Sequence, residues 1–112
     1  MTRAPKPGQQ VRGSTTGRPI MAALDLLGRR WALRILWELR RGAQSFRALR
    51  ELCDDVSPTV LNQRLAELRE SGLVAHEPGA GYSLTRTGES LRDALAPLSD
   101  WAEQWARGTK AR

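Results

Sequence analysis

The stretch SPTVLNQRLAELRESGLVAHEPGAGYSL, Ser57–Leu84, decides how the rest of the chain is read. It opens on Ser57-Pro58, an N-cap hydroxyl followed by a proline at the first helical position, where a missing N–H costs nothing. At ~100° per residue, Leu61, Leu65 and Leu68 share one face of the helix that follows. Thr59, Asn62, Gln63, Ala66 and Glu67 fall on the opposite side, and Arg64 lies near the apolar edge. The helix runs to about Ser71, with Gly72 as its cap. Leu73–Glu77 then reads as a strand, Pro78–Gly81 as a turn and Tyr82–Leu84 as a returning strand. A helix is thus followed at once by a short β-hairpin.

Upstream, Ser45 is an N-cap for a short helix whose buried stripe is Phe46, Leu49, Leu52 and Cys53, with Arg47, Arg50 and Glu51 outward. Asp54-Asp55-Val56 breaks that pattern. Before it, RWALRILWELRR, Arg30–Arg41, is apolar around most of its circumference, the mark of a nearly encircled helix. Pro19 opens a first helix with Ile20, Ala23, Leu24 and Leu27 at helical spacing, and Gly28 ends it. Downstream, Thr85 caps a last helix reaching about Ala106. Leu91, Ala94, Leu95, Leu98, Trp101, Ala102 and Trp105 form its stripe. Pro97 lies inside that helix and should kink or split it.

The expected fold is mainly α with a small β-hairpin wing, a winged helix-turn-helix. It occupies residues 19–107, between a flexible basic arm, 1–18, and a short tail, 108–112. In this architecture the second helix of the pair enters the major groove of duplex DNA. Asn62 and Gln63 can each pair with adenine through one planar amide, and Thr59 can meet a phosphate or a thymine methyl. Ser57 and the free amides of the helix start favour a phosphate. The candidate DNA contacts are Arg47, Arg50, Ser57, Thr59, Asn62, Gln63, Arg64 and His76. An ordinary polar helix surface and a plain hairpin histidine are the bland alternatives.

The residues Leu24–Trp31 (LDLLGRRW), Ser45–Leu49 (SFRAL), Ser57–Leu68 (SPTVLNQRLAEL), Ser71–Val74 (SGLV) and Tyr82–Leu91 (YSLTRTGESL) resemble the HxlR-type transcriptional regulators, part of the wider MarR-like winged-helix class. The resemblance covers about residues 18–106. It implies a dimeric, cytoplasmic DNA-binding regulator and leaves the target and the effector unnamed. Two departures stand out. Members of that family often carry a Cys-Pro pair before the first helix, through which some sense thiol-reactive compounds; here the pair is Arg18-Pro19. Many also have a longer, Arg-rich hairpin, whereas Glu77-Pro78-Gly79-Ala80-Gly81 contains no base.

Charge and composition fit the same reading. The net charge is +6, and residues 1–18 hold four bases and no acid, while the other 94 residues hold 14 bases and 12 acids. A basic arm on a nearly balanced body suits contact with a polyanion, or is simply a solvated tail. The single Cys53 allows no intrachain disulfide and fits a reducing cytoplasm. Its place on an apolar stripe beside Asp54 and Asp55 favours inert packing over a redox switch. No apolar run reaches the ~18 residues of a membrane span, and the N-terminus lacks the apolar core of a signal peptide. No phosphate loop, metal-ligand spacing or paired carboxylates point to an enzyme, so no cofactor or metal is expected. Ile20, Leu24, Leu98, Trp101 and Trp105 are apolar beyond what one small domain can cover, and are expected to meet a second copy. A small-molecule effector between the first and last helices, with Trp31, Trp37 and Trp101 nearby, is a weaker expectation. The alternative is a winged-helix protein-interaction module that does not read DNA.

Overall fold

The computed structural model describes residues 4–8 and 17–110. Its elements run α1 (Pro19–Leu27), α2 (Ala32–Glu38), α3 (Phe46–Leu52), α4 (Pro58–Glu70), β1 (Val74–Glu77), β2 (Gly81–Leu84), α5 (Arg86–Leu95) and α6 (Pro97–Lys110). The mainly helical winged helix-turn-helix is therefore present. Each helix start expected from a hydroxyl is capped by it. Ser45 accepts from Ala48 N at 3.0 Å, Ser57 from Val60 N at 3.1 Å and Thr85 from Gly88 N at 3.1 Å. Thr85 also donates to the Gly72 carbonyl at 2.6 Å, tying the end of α4 to the start of α5.

The core joins Leu26 of α1, Ile35, Leu36 and Leu39 around α2, Leu49 and Cys53 of the α3 region, Leu61, Leu65 and Leu68 of α4, and Leu73 and Val74 at the wing base. Leu49, Leu61 and Leu68 are completely buried. Each such leucine contributes about 1.5–3 kcal/mol by leaving water. The two strands pair antiparallel, with Val74 opposite Leu84 and His76 opposite Tyr82. Gln44 adds a bridge on the outer side of β2: its N–H donates to the Tyr82 carbonyl at 2.9 Å and its carbonyl accepts from Tyr82 N at 2.8 Å. Gly81, with φ of 93°, lies so close to the Gln44 carbonyl that a Cβ could not fit. The wing is thereby anchored to the segment that leads into α3.

Several expectations are corrected. The helix read over Arg30–Arg41 is shorter and is not encircled, because Leu33 and Trp37 are 40% and 46% exposed. The Arg40 guanidinium covers part of Trp37, 3.7 Å from its ring centre. Leu52, assigned to the buried stripe, is also exposed, as the last residue of α3. Pro97 splits the last helix, and the second piece continues to Lys110 rather than ending at Ala106. At the break Ala96 N reaches the Asp93 carbonyl at 3.4 Å, the last bond that α5 can make before the proline. The flexible arm contains a seated portion, since Ala4 and Pro5 are buried. Its Arg3 and Arg12 lie outside the described residues.

Candidate nucleic-acid interface

The α3–α4 turn aims the second helix of the pair. Asp54 and Asp55 both have φ of 57°, the left-handed region that short polar side chains tolerate. Arg50 locks this turn, its Nε donating to the Val56 carbonyl at 2.8 Å. Arg50 is half-buried and serves the protein's own backbone, so it drops out of the outward-facing set expected from the stripe.

From α4, Thr59, Asn62, Gln63 and Ala66 are exposed, on the side opposite Leu61, Leu65 and Leu68. Asn62 opens onto a hollow of about 510 Å³ shared with Ser45, Phe46, His76, Gly79, Ala80, Gly81 and Tyr82. The hollow is the groove between the helix pair and the wing. His76 leans on Tyr82 across it, ring centres 4.5 Å apart. The sequence marks Tyr82 only as a strand residue; its place opposite His76 in the hairpin register is the signal for its role here. Arg47 projects from α3 with its side chain 92% exposed, beside Glu51 at 3.6 Å. Ser57 is exposed at the start of α4, its oxygen engaged by the cap. Ser57→Ala should therefore lower stability by about 1 kcal/mol, read as a shift in the urea midpoint at unchanged slope.

Arg64, a second member of the expected set after Arg50, turns inward, and its neighbour Glu67 turns with it. Arg64 is 19% exposed at its side chain; its Nε donates to the Arg30 carbonyl at 2.8 Å, and its guanidinium meets Glu67 at 3.3 Å. Glu67, placed on the polar side by periodicity, is 4% exposed. The α1–α2 turn covers that flank of α4 and captures both side chains.

Cys53 is completely buried. Burial pushes its thiol above the ordinary range, aided by Glu38 and Asp54, while Arg34 opposes the shift. A buried, protonated thiol is inert packing. No group of three or more His, Cys, Asp or Glu among the described residues could hold a metal ion. No described helix is long and apolar enough to cross a membrane.

A second surface is apolar. Ile20 and Leu24 on α1, and Leu98, Trp101 and Trp105 on α6, are each about half exposed or more. The two α6 indoles stack at 5.5 Å between centres and 17° between planes. A third feature is a cleft of about 410 Å³ between α2 and α5, lined by Leu33, Leu36, Trp37, Leu84, Leu91 and Leu95 with Arg40 and Arg92 among its walls.

Comparison with known proteins places this arrangement in context. Residues 26–110 match the family described as HxlR-like helix-turn-helix. The HTH-type transcriptional regulator YvaP of Bacillus subtilis is 34% identical over 89 residues, covering 74% of this chain and 82% of the relative. Among solved structures, quinone-bound YodB of B. subtilis is 30% identical with a TM-score of 0.69, over 76% of this chain and 96% of that one. A structure described as a possible HxlR family transcriptional factor from Thermoplasma volcanium is 32% identical with a TM-score of 0.68, over 76% and 82%.

Proposed function

The chain belongs to the HxlR-like helix-turn-helix family and is a transcriptional regulator of that type; from this premise we propose that it binds duplex DNA in the cytoplasm as a homodimer, on an inverted-repeat operator. The observation that carries the proposal is the free polar face of α4, with Asn62 at the mouth of the groove under the wing. Asn62 and Gln63 read bases, Thr59 and the Ser57 end of α4 meet backbone, and His76 approaches from the wing. Arg47 supplies a phosphate contact. The wing tip has no base, so the contacts come mainly from α3 and α4. The two copies join through Ile20, Leu24, Leu98, Trp101 and Trp105, presenting two α4 helices to successive major grooves about 34–36 Å apart.

Selection of bound duplexes from a random pool tests the proposal: it should return an inverted repeat, and a pool without any enriched sequence would end the DNA-reading assignment. Arg47→Ala should weaken binding to operator and random DNA alike and flatten the log–log salt slope by roughly 0.9. A wild-type protein with no salt slope would instead behave as a protein-interaction module.

The effector expected between the first and last helices is better suited by the cleft between α2 and α5, which of the three expected tryptophans only Trp37 lines, and the quinone bound to YodB supports a small, flat, conjugated ligand. Here such a molecule would act by reversible contact. The chain's one thiol, Cys53, is sealed in the core, and Arg18 precedes Pro19.

A further inference from the structure

The cluster around Glu67 joins the two surfaces assigned above. Its carboxylate meets Arg29 at 3.0 Å and Arg64 at 3.3 Å. Arg29 reaches back to Asp25 at 3.2 Å, and Arg64 reaches forward to the Arg30 carbonyl at 2.8 Å. The cluster thus holds the end of α1, the α1–α2 turn and the flank of α4 in one bonded group. Trp31, at the end of that turn, has φ of 77°. A bulky side chain in the left-handed region persists only where its surroundings over-determine the backbone. Asp25 adjoins Leu24, which belongs to the exposed apolar face of α1. Gln63, on the exposed side of α4, adjoins Arg64.

Stability alone does not account for such a cluster. Taking a carboxylate and two guanidinium groups out of water costs nearly what their attraction returns, and packed apolar side chains of similar volume often do as well. What a directional, charged cluster adds is one defined geometry. We propose that Glu67 is a positioning residue: by binding Arg29 and Arg64 together it fixes α4 relative to α1, and so sets the distance between the two reading helices of the dimer. This rests on the dimeric DNA-reading function proposed above.

The test uses the full-length protein and a series of selected operators whose half-sites are moved apart or together by single base pairs. Wild type should show a sharp optimum. Glu67→Gln keeps the shape and removes the charge; it should reduce the preference for the best spacing over its one-base-pair neighbours at least fivefold. Affinity for random duplex at low salt should stay within twofold, and Glu67→Asp should regain part of the preference. Arg64→Gln leaves the Arg29–Glu67 pair in place and should blur the optimum too, so it carries the test if Glu67→Gln does not fold. The double variant Glu67→Gln with Arg64→Gln should lose no more than the larger single loss, as members of one unit do. A sharp, unmoved optimum in the folded single variants would overturn the positioning role and leave DNA reading intact. Failure of wild type to select any inverted repeat would instead remove the underlying function.

Discussion

Trp101→Ala combined with Trp105→Ala is expected to leave the chain monomeric and to lower operator affinity by about 10²–10⁴-fold, the advantage that linked half-sites confer. Both indoles stand outside the buried core, 55% and 64% exposed, on a helix that follows the Pro97 break. Large aromatics are the usual anchors of an interface, each costing about 2 kcal/mol or more when truncated. A two-fold dimer repeats every contact, so the double change removes four of them. The core leucines are untouched, so the monomer should remain folded, with a nearly unchanged far-UV spectrum. Sedimentation velocity at micromolar concentration checks the assembly, and titration of labelled operator at fixed salt checks the affinity. A dimer that survives both changes would remove α6 from the interface.

Asn62→Ala is expected to reduce discrimination between operator and random duplex by about 1–3 kcal/mol, and Gln63→Ala by a similar amount. A side-chain amide offers a donor and an acceptor in one plane, which matches the edge of adenine in the major groove and misfits the other bases. Both residues are solvent-exposed, so their truncation leaves no cavity and should not change the unfolding midpoint appreciably. This separates loss of reading from loss of fold. The measurement is a competition between operator and random DNA at constant ionic strength. An unchanged ratio for Asn62→Ala would show that the reading face lies elsewhere on α4.

Much of this architecture was legible because local chemistry dictates it. Ser45, Ser57 and Thr85 act as caps wherever the following amides need an acceptor, and no distant residue alters that. Leu61, Leu65 and Leu68 line up by helical geometry alone. The errors share a different origin. Glu67 lies about 120° around the helix from Leu61, a position that is polar surface unless something covers it. Here the α1–α2 turn does, and a turn built around a left-handed tryptophan carries no local signature. Arg64 and Arg50 resembled outward cations because the carbonyls that capture them, Arg30 and Val56, come from turns whose paths only the folded chain defines. Leu33 and Trp37 looked interior because α2 is apolar on every side, and the sequence does not say which side the rest of the domain reaches. For the candidate site, the residue types on α4 were readable, while the hollow beside Tyr82 needed the Gln44 bridge to exist.

The stacked indoles at the end of the chain have a practical consequence. Tryptophan emission shifts to shorter wavelength when the ring leaves water. Trp37, Trp101 and Trp105 are each about half exposed or more in the lone chain, whereas Trp31 is more sheltered. In the dimer proposed above the stacked indoles leave water, so dilution of the protein should shift its emission to longer wavelength, an optical gauge that needs no attached dye.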